Sequence, residues 1–187
     1  GTVRAVRGKH RRRRRSPALR LMKAHRWCGW LSGSIVLLDQ ATKHLAEALL
    51  QMHQPVAILP SFNLMLTYNT GAAFSFLRDA GGWQRWFFLG LGVAVSVGLI
   101  VWLTRLKPEE KRLATALALV LGGAVGNLID RAWLGHVIDF IQLYYDRWYW
   151  PTFNIADSAI SIGAVLLVLD SLFSKDANPL KSSEDRS

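Results

Sequence analysis

Five aspartates stand inside or beside the apolar stretches of this 187-residue chain: Asp39, Asp130, Asp139, Asp157 and Asp170. An ionised carboxylate at the centre of a hydrocarbon layer costs at least about 2.5 kcal/mol, so such residues are paired, protonated or functional. Asp39 and Lys43 lie four apart on one helical face, and an intrahelical ion pair is the simplest account of them. Asp130 is followed by Arg131, and a structural pair between these two is expected, with Arg131 also placed to anchor a polar substrate group. Asp139, in His136-Val-Ile-Asp-Phe-Ile141, and Asp157, in Phe153-Asn-Ile-Ala-Asp157, have no cationic neighbour at helical spacing. Two carboxyl groups held together in a low-dielectric site cannot both ionise. They share one proton, one acting as base toward water and the other as acid, which is the chemistry of an aspartic protease. Spacing alone does not separate that pair from two unrelated acids near an interface.

Polar residues that could serve such a pair lie nearby. Asn69-Thr-Gly-Ala-Ala-Phe74 offers an amide, a hydroxyl and a glycine-permitted turn, suited to binding extended peptide backbone or to an ordinary turn. Asn127 and Asn154 precede Asp130 and Asp157 by three residues each. From there an amide can bond carboxylates or substrate carbonyls, or cap a helix.

The elements that must position these groups are long and apolar. Trp86 to Thr104 has nineteen residues without a charge and Leu113 to Ile129 has seventeen. At 1.5 Å per residue each nearly crosses a hydrocarbon layer of roughly 30 Å. Trp148 to Leu169 is interrupted only by Asp157, and Trp27 to Leu38 continues in helical pattern to about Leu50. Both are expected to span, with their acids facing inward. The stretch before the first span and the loop Arg105 to Arg112 are basic, whereas residues 51–82 hold Arg78 as their only Lys or Arg. That asymmetry places both termini in the cytoplasm and the connections 51–82 and 131–153 on the opposite face. Asp139, just after the third span, and Asp157, at the start of the fourth, then reach one depth on one side. Trp83-Gln-Arg-Trp86 and Arg147-Trp-Tyr-Trp150 read as interfacial belts there. Gly122-Gly-Ala-Val-Gly126 reads as a helix-packing surface, not a phosphate loop, because it lacks the Gly-Lys-Ser/Thr ending.

Composition agrees with a membrane protein and closes other routes. Mean hydropathy is +0.18. The net charge of +10 comes from residues 1–26, which hold eleven of the 23 Lys and Arg; the other 161 residues carry twelve basic and thirteen acidic side chains. The body thus offers no nucleic-acid surface. Residues 1–26 form a basic arm expected to be disordered: a grip on anionic lipid or RNA, a solvated tail, or an extension ahead of a start at Met22. A cleavable signal peptide fits poorly, since the following apolar run meets Asp39, Lys43 and Glu47. A single cysteine, Cys28, excludes an internal disulfide framework and Cys-based metal sites, and the five histidines show no paired metal spacing. No metal and no cofactor is expected. A proton-coupled transporter would string its acids along a path through the membrane, whereas these mostly gather at the outer end; a scaffold would keep them all in structural pairs.

Five motifs, Asp39-Gln-Ala-Thr-Lys43, Tyr68-Asn-Thr-Gly-Ala-Ala-Phe74, Gly122-Gly-Ala-Val-Gly-Asn-Leu-Ile-Asp-Arg131, Val137-Ile-Asp-Phe140 and Phe153-Asn-Ile-Ala-Asp157, together resemble the bacterial lipoprotein signal peptidase family, also called signal peptidase II. The resemblance covers about residues 27–173. It implies an all-α membrane protein of four transmembrane helices with a small extracytoplasmic β-rich loop region, residues 27–173 being the peptidase domain and 174–187 a polar tail. The implied activity is aspartic endopeptidase cleavage of diacylglyceryl-modified prolipoproteins just before the lipidated cysteine. Asp139 and Asp157 become the catalytic dyad, Asn69, Gly71, Asn127, Arg131 and Asn154 line the substrate site, and Asp39, Lys43 and Asp130 support structure or activity. The implied setting is the bacterial inner membrane with the site on the periplasmic side. Membrane lipids and globomycin-type cyclic peptide inhibitors are the further implied partners, and the chain is expected to act as a monomer. The basic arm has no counterpart in the family pattern.

Overall fold

The computed structural model describes residues 26–71 and 83–175. The basic arm up to residue 25, Ala72 to Phe74 of the loop motif, Arg78 and the tail from residue 176 lie outside the described residues. Among the described residues, four helices and four strands follow in the order α1 (Arg26–Leu49), β1 (Val56–Leu59), β2 (Phe62–Asn69), α2 (Trp83–Arg105), α3 (Lys111–Trp133), β3 (Val137–Tyr145), β4 (Trp148–Tyr149) and α4 (Ile155–Lys175). The chain is thus mostly helical with a small antiparallel sheet.

Stretches within α2, α3 and α4 are long and apolar enough to cross a membrane: Arg85–Arg105, Lys111–Trp133 and Ile155–Phe173. α1 matches them in length at 24 residues but carries Asp39 and Lys43, both buried, within it. Polarity is distributed inside out. Phe87, Leu91, Val97 and Trp102 of α2 and Ile162, Val165, Val168 and Phe173 of α4 are exposed, while Asp39, Lys43, Asn127, Asp130, Asp139 and Asn154 are buried. Water would not tolerate that surface and hydrocarbon would not tolerate those polar groups outside, so the arrangement is that of a membrane protein.

α3 is the central helix, packed against α1, α2 and α4. Its small residues permit this. A side chain at Gly123 would run into the Ala156 carbonyl oxygen of α4, and one at Gly126 would reach within 2.7 Å of Asp39 Oδ2. α1 and α3 run parallel in a fixed register: Cys28 Sγ reaches Ala114 O (3.8 Å), Ser32 Oγ donates to Ala118 O (2.8 Å) and Gln40 Nε2 to Gly126 O (3.2 Å), each pair 86 residues apart. The packing role expected for residues 122–126 is therefore what the helices do.

The sheet has the order β1-β2-β3-β4. α3 ends at Trp133, and Gly135, with φ +83°, takes the left-handed conformation that turns the chain into β3. β2 and β3 pair with Thr67 opposite Asp139 and Asn69 opposite Val137. Side chains alternate along strands, so Asn69 and Asp139 share a face as diagonal neighbours.

One expected element is corrected. The apolar stretch from Trp148 is not helical throughout: Trp148 and Tyr149 form β4, paired with Tyr144 and Tyr145, and α4 starts only at Ile155. Pro151 disfavours helix in the residue before it, and Phe153 instead bonds back to Ile141. The anticipated belt residues Trp83, Trp86, Trp148 and Trp150 are all exposed.

Candidate active site

Asp157 owes its position to a reciprocal cap at the start of α4. Asn154 Oδ1 accepts the Asp157 backbone N–H (2.9 Å), and Asp157 Oδ2 accepts the Asn154 backbone N–H (3.3 Å). This is a capping box with aspartate as the third helical residue, and it sets the carboxyl in the first turn, where the helix dipole favours negative charge. Asp139 arrives from β3 and is 1% exposed. Its Oδ1 accepts from Asn154 Nδ2 (2.8 Å) and its Oδ2 from Asn69 Nδ2 (3.1 Å).

Three asparagines are used alike, each held by its oxygen and turned so that its N–H₂ meets a carboxyl group. Asn69 Oδ1 accepts the Gly71 N–H (2.9 Å), a tight turn for which Gly71 takes φ +95°. Asn127 Oδ1 accepts from Lys43 Nζ (3.0 Å) and Asn154 Nδ2 (3.2 Å), while Asn127 Nδ2 donates to Asp157 Oδ1 (2.7 Å). Asn154 completes the set, since its oxygen caps α4 and its amide reaches Asp139. The five expected residues Asn69, Asn127, Asp139, Asn154 and Asp157 thus form one hydrogen-bonded cluster, with Gly71 fixing its edge.

Burial pushes the Asp139 carboxyl up from 3.8 to about 7, and the charge of Asp157 pushes the same way; the bonds from Asn69 and Asn154 and the Lys43 charge oppose this. A carboxyl that still holds its proton near neutrality beside a second carboxyl can give a proton while its partner takes one.

Behind the cluster, Lys43 Nζ bonds Asp39 Oδ2 (2.7 Å) and Asp130 Oδ2 (2.8 Å) as well as Asn127, so all three ammonium donors are used. The expected Asp39–Lys43 pair is present. The expected pair of Asp130 with Arg131 is not: adjacent helix positions point about 100° apart, which follows from 3.6 residues per turn, and Asp130 faces α1. Asp130 Oδ2 also accepts the Ile138 N–H (3.2 Å), tying α3 to β3. Arg131 lies over the Phe88 ring, 5.5 Å from its centroid, and makes no ion pair among the described residues.

The family described as signal peptidase (SPase) II matches residues 31–173. The chain belongs to the signal peptidase II family. It is therefore an aspartic peptidase, consistent with carboxyl groups forming its polar centre. It is 57% identical over 148 residues to a lipoprotein signal peptidase of Pseudomonas fluorescens, covering 78% of this chain and 87% of that one. It is 54% identical over 155 residues to one of Teredinibacter turnerae, covering 83% and 92%. A solved bacterial membrane enzyme, determined by the in meso method at 1.9 Å resolution, superposes with a TM-score of 0.69 at 28% identity, over 78% of this chain and 92% of that one.

Three contacts in this signal peptidase II escaped sequence reasoning. Gln40 Nε2 donates to Asp130 Oδ1 (2.8 Å) and Gly126 O (3.2 Å), a role its place between Asp39 and Lys43 could have suggested. Arg85 bonds the Arg131 and Ala132 carbonyl oxygens (3.1 and 2.6 Å), a cation on the C-terminal end of α3. Thr67 and Thr152 hydroxyls meet at 2.6 Å beside Asp139, and nothing in their sequence context signalled it.

Proposed function

We propose that this signal peptidase II removes signal peptides from prolipoproteins with Asp139 and Asp157 as its catalytic dyad. The observation that carries the reading is the single amide of Asn154, which caps the helix bearing Asp157 and donates to Asp139 Oδ1 at 2.8 Å. Asp157, at a helix N-terminus, is the ionised partner and takes a proton from water; Asp139, protonated near neutrality, is the acid. The hydroxide attacks the scissile carbonyl, and the tetrahedral intermediate collapses as Asp139 protonates the leaving amide nitrogen. The proton has then moved from Asp139 to Asp157, and exchange with solvent restores the starting state. Asn69, Gly71, Asn127 and Asn154 hold the dyad and line the peptide site. Arg131, without an ion partner among the described residues, offers its guanidinium to substrate carbonyls.

The substrate on this reading carries a diacylglyceryl group on the cysteine that becomes the new N-terminus. Its acyl chains stay in the bilayer beside the apolar outer faces of α2 and α4 while the peptide bends to the dyad. α1 acts as a fourth span, its charged groups turned inward, with both termini cytoplasmic and the dyad on the periplasmic side of the inner membrane. Residues 27–173 are the peptidase domain of a monomer, residues 1–26 a basic arm and 174–187 a tail, and globomycin-type cyclic peptides occupy the dyad. Incubation of purified protein with diacylated and non-acylated precursor tests this by gel shift, with mass spectrometry of the product. Cleavage before the modified cysteine of the acylated form, blocked by a globomycin-type peptide, is expected; equal cleavage of both forms contradicts the substrate assignment.

A further inference from the structure

Lys43 lies one residue behind the dyad, and its charge cannot be explained by ion pairing alone. One carboxylate would neutralise it, yet it meets two and spends its third donor on an amide, Asn127 Oδ1, at 3.0 Å. That oxygen also accepts from Asn154 Nδ2 at 3.2 Å. Reversing the Asn127 amide would set its N–H₂ against an ammonium and a second amide N–H₂, donor facing donor twice. The orientation is therefore locked, and the outcome is the N–H that meets Asp157 Oδ1 at 2.7 Å, the shortest of the four bonds to the two carboxyl groups.

We propose that Lys43 is a positioning residue for the dyad, acting through Asn127 to make Asp157 the partner that carries the negative charge. The proposal rests on the dyad reading above and adds the reason for its asymmetry. A cation behind an amide polarises it, and a polarised N–H donates more strongly to a carboxylate than to a neutral acid. Asp139 receives its bonds from Asn69 and Asn154, and among the described residues Asn69 is anchored by a backbone N–H, that of Gly71. Among the described residues, the charged groups around the pair are Asp39 and Lys43 from α1 and Asp130 and Arg131 from α3. Arg85 of α2 is committed to α3 carbonyls, and His136 stacks on Tyr68, 4.2 Å between centroids.

The test is a charge-balanced variant, Lys43→Met with Asp130→Asn. It leaves the formal charge of the Asp39, Lys43 and Asp130 group at −1, as in the parent, so long-range electrostatics are retained while the donor to Asn127 is lost. The pH dependence of kcat is measured on diacylated precursor in bilayer mimetics. The relay predicts kcat reduced at least about tenfold, KM within about threefold, and the acid limb displaced upward by about one pH unit, the size expected for one lost bond to a charged group. An acid limb that stays in place overturns the proposal, whatever the rate. If the double variant does not fold, Lys43→Gln with Asp130→Asn, which keeps Asn127 and the same formal charge but offers Asn127 only an uncharged donor, carries the same test: an upward shift supports the relay and an unmoved limb refutes it. Failure of the dyad itself reads differently, because Asp157→Asn would then still cleave.

Discussion

Asn154 Nδ2 donates to Asp139 Oδ1 at 2.8 Å, so the residue that starts α4 also fixes the acid on β3. Helix geometry and site geometry are one constraint here. Asn154→Ala removes the cap and the amide donor that meets Asp139, Asn127 and the Ile138 carbonyl oxygen, and a lost N-cap costs about 1–2 kcal/mol. The expected outcome is lowered thermal stability in detergent together with at least about a hundredfold loss of kcat, since both carboxyls lose a fixed neighbour. Full activity in a destabilised protein would leave Asn154 as a cap and nothing more.

Asp139 gives a pH dependence with a definite sign. Its carboxyl is pushed up to about 7 by burial and by Asp157, so the folded chain binds this proton more tightly than the unfolded chain does. The stability it contributes is full below about pH 4, shrinks as pH rises and is gone above about pH 7. Cleavage needs the same proton, so kcat is expected to fall about tenfold per unit above roughly pH 7. A rate that is flat from pH 7 to 9 would remove Asp139 as the acid.

Asp39 is fully buried, with Oδ2 on Lys43 at 2.7 Å and Oδ1 on the Ala156 N–H at 2.9 Å. Asp39→Ala leaves a buried ammonium with less compensation and an unmet N–H in the first turn of α4. Breaking a buried pair from one side costs about 3–5 kcal/mol. Chemical unfolding in mixed micelles is expected to show a loss of that order, whereas an exposed substitution such as Glu109→Ala should change little.

Gly123 lets α3 and α4 touch through backbone, since a side chain there would meet the Ala156 carbonyl oxygen. Gly123→Val pushes α4 away and with it Asp157. Overpacking costs about 1–3 kcal/mol, and here the displaced helix carries half the dyad. Both the unfolding midpoint and kcat are expected to drop; a variant with parental values in both would mean that the helices part without moving the site.

Legibility in the sequence followed the range of the interactions. Trp86 to Thr104 and Leu113 to Ile129 lie inside α2 and α3 because an uncharged run of that length has few alternatives to a helix. The Asp39–Lys43 pair was readable because both residues sit on one helix. Asp130 was misassigned to Arg131 because its partner comes from another helix, ninety residues away at Gln40 and a similar distance at Lys43. The meeting of β3 with the start of α4 depends on Phe153 returning to pair with Ile141, a long-range contact that no local pattern encodes. The same return is what ended the expected helix short of Trp148. The donor–acceptor logic of Asn69, Asn127 and Asn154 emerged only once their partners were in place.

The dyad is tested most directly by comparing Asp139→Asn, Asp157→Asn and the double variant in one cleavage assay on diacylated precursor, with folding checked for each. Residues that act as one unit fail together. Each single substitution is expected to lower kcat by at least about a thousandfold, with the double variant no worse than either. A folded single variant that keeps activity within about tenfold, or two singles whose losses simply multiply in the double, would contradict a shared proton between these carboxyl groups.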